Sequence, residues 1–142
     1  MRWEGRLATV SESNSSEHWT VKSKRHKGQQ FIVRSIFAKE RSEMTLPCIV
    51  CMTRLSPQAL DDDNLRGALK YVRDEISECL IPEKRGHYIT KKGKIKSIKG
   101  RADADPRIKW EYRQENSKRI GLRIEITPLP LEVLEQKKED HH

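Results

Sequence analysis

Residues 46–80 read LPCIVCMTRLSPQALDDDNLRGALKYVRDEISECL, and this stretch joins the most apolar run of the chain to its clearest helical pattern. The run Leu46–Leu55 predicts a strand buried on both faces and central in its sheet, with Pro47 at the start. Residues 62–80 predict an amphipathic helix. Its apolar side chains recur on a single stripe, which comprises Leu65, Ala68, Leu69, Val72, Ile76 and Leu80. A buried strand that leads into such a helix indicates a domain in which helices pack on a sheet.

Weaker patterns precede this stretch. Residues 5–10 are compatible with a first short strand, and the polar residues 11–27 predict a mobile segment. From about residue 29 to residue 40, Ile32, Val33, Ile36 and Phe37 recur at helical spacing. We therefore expect a short amphipathic helix at residues 29–40.

The patterns after the helix indicate strands. Ile108, Trp110 and Tyr112 alternate with charged residues, as do Leu122, Ile124 and Ile126. The loop at residues 115–121 predicts that these two strands form a hairpin. Together the patterns predict a mixed α/β (α+β) fold, with one sheet and packed helices in a single domain over residues 1–130. A charged tail at residues 131–142 follows.

Composition limits the classes of protein to consider. The 142 residues are 35% hydrophobic and 35% charged with a net charge of +8, which is typical of a soluble domain with a charged surface. No apolar stretch is long enough for a membrane span, and the first residues lack a signal core, so we expect a cytoplasmic protein with no membrane partner. Cys48 and Cys51 fall three apart in a predicted strand, which favours core thiols over a zinc site.

The positive charge of one segment equals the net charge of the whole chain, which is +8. Between residues 84 and 102 there are eight basic residues and no acidic one: Lys84, Arg85, Lys91, Lys92, Lys94, Lys96, Lys99 and Arg101. Two β-compatible pieces, residues 87–90 and 95–98, flank Gly93, which permits a tight turn. We predict a basic hairpin within an insert at about residues 82–101. It could bind phosphate groups or could be an ordinary solvated loop.

Three consecutive aspartates open the predicted helix. One of them accounts for a helix cap, since an aspartate accepts hydrogen bonds from the free N-H groups of the first turn. Asp61 and Asp63 are two residues apart, so in an extended turn their carboxylates can converge while Asp62 points away. Converging carboxylates suit a hard divalent ion, Mg²⁺ or Mn²⁺.

A second acidic group precedes a predicted strand. Asp103 and Asp105 lie in RADADPRI, and Pro106 keeps Asp105 in extended geometry. If the strand that follows lies beside Leu46–Leu55, Asp105 is expected to reach the carboxylates of Asp61 and Asp63. The alternative is an ordinary turn aspartate, which is frequent before proline.

At these residues the chain resembles a known family. LDDDNLRGALKYVRDEIS at residues 60–77 and DADPRIKWEYRQ at residues 103–114 look like the RusA family of Holliday junction resolvases, which are metal-dependent endonucleases of bacteria and their phages. The resemblance covers about residues 47–126.

The resemblance implies a function and a site. It implies a homodimer of mixed α/β subunits that cuts four-way DNA junctions with Mg²⁺ or Mn²⁺, each subunit nicking one strand. The paired metal-binding aspartates of the family fall on Asp61 and Asp63, and the third catalytic aspartate falls on Asp105. The cations expected to hold the DNA backbone are Arg66, Lys70, Arg73, Arg107 and those of the insert, namely Lys91, Lys92, Lys94, Lys96, Lys99 and Arg101.

The sequence departs from the family at two places, and it leaves three functions open. Gly67 occupies the position of the family's catalytic lysine, a role that Lys70 or a lysine of the hairpin could take over. The insert at residues 82–101 is usually much shorter in relatives. The chain could therefore be a junction endonuclease, a family member that binds branched DNA without cutting it, or a basic interaction module whose aspartates only cap a helix.

Overall fold

A computed structural model describes residues 1–12, 17–40, 45–82, 86–98 and 102–130. Within them lie six strands, three α-helices and a short 3-10 helix at Ala102–Ala104. The strands are β1 (Arg2–Gly5), β2 (Cys48–Ser56), β3 (Gly86–Ile89), β4 (Ile95–Ile98), β5 (Ile108–Asn116) and β6 (Gly121–Pro128). The helices are α1 (Trp19–Glu40), α2 (Asp62–Ala68) and α3 (Lys70–Leu80). This is a single α+β domain, as predicted.

The apolar strand β2 lies inside a four-stranded mixed sheet whose order is β1-β6-β2-β5. It runs parallel to β5, with Cys48 opposite Ile108, and antiparallel to β6, with Met52 opposite Ile124. The predicted hairpin of β5 with β6 is therefore wrong. The two strands are consecutive in sequence, but β2 separates them because its apolar side chains are best buried when both of its edges are paired.

The two faces of this sheet differ in chemistry. Val50 and Met52 on β2 and Ile124 on β6 pack with side chains from the helices in one apolar core. The opposite face carries ion pairs, such as those of Arg123 with Glu4 and Glu115. The helices therefore cover one face of the sheet, and ion-paired residues lie on the other.

The helix predicted at residues 62–80 is present with one interruption. α2 and α3 are separated by Leu69, whose backbone angles (φ −103°, ψ 3°) leave the helical range. Gly67, a poor helix former, lies two residues earlier. The apolar stripe continues across the break, since Leu65, Leu69 and Val72 are all buried.

The first forty residues differ most from the prediction. The first strand is Arg2–Gly5 rather than residues 5–10. The helix predicted at residues 29–40 is confirmed. It is α1, and it begins ten residues earlier than predicted, at Trp19. Residues 19–27, expected to be mobile, are helical. Tertiary contacts hold them there: Arg25 pairs with Glu12 and Glu17, and these contacts are invisible to local periodicity.

The basic hairpin is confirmed. β3 and β4 pair antiparallel as a separate sheet, and Gly93 adopts a positive φ of 79° in the turn between them. That backbone conformation favours glycine because glycine has no Cβ. The tail at residues 131–142 lies outside the described residues.

Candidate functional site

The acidic helix start is held in place by its neighbours. Asp61 is the N-cap of α2, and its Oδ1 accepts a hydrogen bond from the Asn64 N-H at 2.9 Å. The Ser11 hydroxyl donates to Oδ1 of Asn64 at 2.8 Å. The backbone of Leu60 exchanges two hydrogen bonds with the Gln114 side chain, at 2.8 Å and 2.7 Å. The helix therefore begins at a defined position beside the carboxyl-terminal half of β5.

Asp61, Asp62 and Asp63 are all exposed. Capping accounts for Asp61 but not for its two neighbours. Asp62 and Asp63 form no ion pair with any part of the chain that the structure describes. Adjacent carboxylates repel one another, so a cation at this position would lower the free energy of the folded protein.

Asp105 has different surroundings. Only 9% of its surface is exposed, and its carboxylate accepts hydrogen bonds from Nε and Nη2 of Arg107 at 3.0 Å and 3.1 Å. Its backbone carbonyl accepts from the Ile108 N-H at 3.1 Å, so Asp105 lies at the entrance of β5. The carbonyl of its neighbour Asp103 accepts hydrogen bonds from Trp110 and Arg73. Ion pairs and hydrogen bonds thus fix the positions of Asp103 and Asp105 in the fold.

The structure does not bring the two acidic groups together. Leu60 is beside Gln114, whereas Asp105 is beside Ile108, and six residues of strand span about 20 Å. Across the described ranges, which contain all three aspartates, no three His, Cys, Asp or Glu side chains are placed to hold a metal ion. The expectation that Asp105 reaches Asp61 and Asp63 within one chain is therefore not met. Because β2 and β5 are parallel, the end of one strand and the start of the other lie at opposite ends of the strand pair.

The cations on the helix fall into two classes. Arg66 and Lys70 are exposed, and they lie over the rings of Tyr112 and Tyr71 at 5.2 Å and 5.9 Å. Arg73 instead packs into the fold: Nη1 donates to the Tyr112 hydroxyl at 2.6 Å, and the guanidinium lies 4.8 Å from the Trp110 ring centre. Arg66 and Lys70 remain available to a phosphate backbone, whereas Arg73 positions β5 against α3.

The other predicted cations are also divided. Lys91, Lys92 and Lys94 are exposed at the tip of the basic hairpin. Arg107, which was predicted to bind DNA, pairs with Asp105. The side chain of Lys96, and all of Lys99 and Arg101, lie outside the described residues.

Sequence reasoning missed a basic cleft at the end of the sheet where β2 terminates. This cavity of about 680 Å³ is lined by three basic residues, Arg6, Lys118 and Arg119, and by one acidic residue, Glu4, together with Gly5 and Gly121. Lys118 and Arg119 follow Ser117 in a polar loop, which was the available signal in the sequence. Arg6 joins them only through the pairing of β1 with β6.

Comparisons with protein-family models, with curated proteins and with solved structures gave no match. The resemblance to RusA resolvases therefore depends on the motifs at residues 60–77 and 103–114 and stays a prediction. Of the helices in the described ranges, none has the length and apolar content that a membrane crossing requires.

Proposed function

We propose that this protein is a Mg²⁺-dependent endonuclease of branched DNA, with the four-way junction as its expected substrate. The observation that carries the proposal is the exposed pair Asp61 and Asp63 at a rigidly held helix start, with exposed Arg66 and Lys70 on the turns that follow. Carboxylates that lack a salt-bridge partner suit a divalent ion, and nearby cations suit the phosphates of a substrate.

Asp61 and Asp63 are the proposed first ligands of the ion, and Asp105 is the proposed third. When bound, Mg²⁺ would polarise a phosphate oxygen and lower the pKa of an attacking water. The three carboxylates of a single chain do not fit one ion. The proposal therefore includes a homodimer in which Asp61 and Asp63 of one subunit act with Asp105 of the other, and it requires the Asp105 carboxylate to exchange Arg107 for the ion. A symmetric dimer of this kind also gives two sites for two strands.

Lys70 is the proposed substitute for the family's lysine. It lies seven residues after Asp63 and is the first residue of α3, directly past the break at Leu69. Its ammonium group would offset charge that develops on the phosphate. The lysines of the hairpin tip, Lys91, Lys92 and Lys94, would bind more distant phosphates of the junction arms.

The test is a cleavage assay on a synthetic four-way junction, a linear duplex, a flap and a single strand, each with Mg²⁺. We expect the wild type to cut the junction in preference to the other substrates. Asp63→Asn should bind the junction without cutting it, and Asp62→Asn is the matched control that should cut normally. Equal cutting by Asp63→Asn and the wild type would contradict the assigned role of Asp63.

A second candidate function is junction binding without cleavage. It is favoured by the observed pairing of Asp105 with Arg107 and by the glycine at position 67. This candidate predicts tight, salt-sensitive binding of the junction and no product at any concentration of Mg²⁺ or Mn²⁺. Product formation by the wild type excludes it.

A further inference from the structure

Arg54 is the only charged residue of β2, and it is buried. Just 6% of its surface is exposed, and it occupies the helix-covered face of the sheet opposite Leu122. Its Nε donates to the Thr9 hydroxyl at 3.1 Å, and Nη1 donates to the Gln58 carbonyl at 2.7 Å. No carboxylate pairs with it among the described residues.

A guanidinium buried without a counter-ion is unusual in proteins. Removing a charge from water is unfavourable, and buried charges in proteins are generally paired with an opposite charge. Burial also lowers the pKa of Arg54, because desolvation disfavours the charged form. The neutral oxygens of Thr9 and Gln58 satisfy some of its N-H groups but do not neutralise its charge.

Arg54 also lines a cavity of about 240 Å³ at the end of β2. Polar groups of Ser56, Gln58 and Gln114 line it as well. The one acidic residue in the lining, Glu115, is held by Arg123 through hydrogen bonds of 2.7 Å and 3.0 Å, which lower the pKa of its carboxyl. The cavity therefore offers an arginine whose charge no lining group neutralises.

The cavity adjoins the acidic helix start. Gln58 and Ala59 form part of its wall, and Asp61 follows them in the chain. Gln114 belongs to the wall too, and the same side chain holds Leu60. A ligand in the cavity would therefore lie next to the loop that leads into the helix start with Asp61 and Asp63.

We propose that this cavity is a binding site for a phosphate group of a nucleic-acid backbone, with Arg54 as its principal donor. The planar guanidinium matches the oxygens of a phosphate and supplies the missing opposite charge to the buried group. Arg54 is a positioning residue: it seats one phosphate while the scissile bond lies at the aspartates. The role of Arg54 in placing a DNA strand for cutting rests on the proposed function. Its binding of a phosphate group does not.

A purely structural role is the competing explanation. Arg54 joins the segment that contains Thr9 to the loop that contains Gln58, and this link alone would stabilise the fold. Such a role predicts that loss of Arg54 lowers stability and leaves the dependence of DNA binding on salt unchanged.

The test measures junction binding by fluorescence anisotropy in EDTA, so that cleavage plays no part. Arg54→Met keeps the aliphatic stem and removes the charge. The matched control is Arg113→Met, an arginine on the other face of the sheet whose side chain is 68% exposed. Correct folding of both variants is checked by circular dichroism and Tm.

We expect Arg54→Met to weaken binding about tenfold or more, as for loss of a charged hydrogen bond. Between about 50 and 200 mM salt, the slope of log K against log[salt] should become shallower by about 0.9, as for loss of one phosphate contact. Arg113→Met should match the wild type. Unchanged affinity and slope in folded Arg54→Met would overturn the proposal.

A measurement on the wild type covers the case in which Arg54→Met does not fold. In ¹⁵N NMR, a solvent-protected arginine Nε signal should shift on addition of inorganic phosphate and of a single-stranded oligonucleotide. A shift with phosphate alone would indicate a site for a free anion and would overturn the nucleic-acid assignment. If neither ligand shifts such a signal, the site does not exist. Failure of cleavage with binding intact would refute only the nuclease.

Discussion

At the scale of single residues, three positions have surroundings from which a measurable effect can be predicted. Gly67 leaves open space where a side chain would project, since a Cβ added there would have no neighbouring atom within 4 Å. Cys48 is fully buried beneath the helices. Arg54 holds a buried charge for which the described residues provide no opposite charge. Each position has a measurable consequence, and the test for Arg54 is the binding experiment above.

Gly67→Lys should raise both stability and cleavage. The new side chain has room, and lysine favours a helix over glycine by about 0.7 kcal/mol, so the free energy of unfolding should rise by about that amount. The lysine would also restore the cation that the resemblance implies one turn after Asp63. Gly67→Ala is the control, because it provides the helical gain without the charge. Equal cleavage rates in the two variants would contradict a catalytic role for a lysine at this position.

Cys48 should make stability fall at alkaline pH. Burial raises the pKa of its thiol from 9.0 to about 11. The unfolded chain therefore loses this proton first as the pH rises. The stabilisation is complete below pH 9.0 and is lost between pH 9.0 and about pH 11, at about 1.4 kcal/mol per pH unit. Urea unfolding across this range should show a steeper loss in the wild type than in Cys48→Ala, and parallel curves would contradict it.

At the scale of elements, the start of α2 combines capping with the proposed chemistry. Asp61 caps the helix, and the loop before it is held by hydrogen bonds to Gln114. A cap needs only a side-chain oxygen, whereas a metal ligand needs negative charge. Substitutions that preserve one property and remove the other can therefore separate the two roles.

Asp61→Asn should keep stability and lose cleavage. Asparagine caps a helix as well as aspartate does, so the free energy of unfolding should stay close to that of the wild type. Asp61→Ala should lower it by about 1 kcal/mol, because the cap is lost. Both variants should fail to cut the junction. If Asp61→Asn cuts normally and only Asp61→Ala is impaired, the aspartate is a cap and nothing more.

At the scale of the whole molecule, the parallel pairing of β2 with β5 decides where the carboxylates lie. It places Asp61 and Asp105 at opposite ends of the strand pair. The nuclease proposal therefore depends on a second subunit to complete each set of ligands. That arrangement can be tested without a structure of the dimer.

Mixing Asp63→Asn with Asp105→Asn should restore cutting that neither variant shows alone. In a mixed dimer one composite site has lost both residues, and the other has Asp61, Asp63 and Asp105 intact. The restored product should be a nick in one strand of the junction, measured on denaturing gels after subunits are exchanged. An inactive mixture beside an active wild type would show that the carboxylates of one chain act together. An inactive wild type would refute the nuclease itself.

Some elements of this fold could be predicted from local sequence patterns, whereas others depend on tertiary contacts. The strand at residues 46–55 and the helix at residues 62–80 were predictable, because burial of a continuous run or stripe leaves a direct mark on the sequence. The helix start at Trp19 was not, because its first turns are mostly exposed and are held by ion pairs of Arg25 with Glu12 and Glu17, which lie outside the helix. The pairing of β5 with β6 was wrongly predicted because alternation reveals the buried face of a strand and says nothing about its neighbour.

The sequence alone determined the apolar strand, the helix after it, the basic hairpin with its turn at Gly93, and the three aspartates at the helix start, the first of which caps the helix. These features depend on side chains close together in the chain, so local spacing encodes them. Only the tertiary structure decided the strand order, the separation of Asp105 from Asp61, and the burial of Arg54 beside a polar cavity. Those depend on which edges pair and in which direction, and that choice minimises exposed apolar surface over the whole molecule.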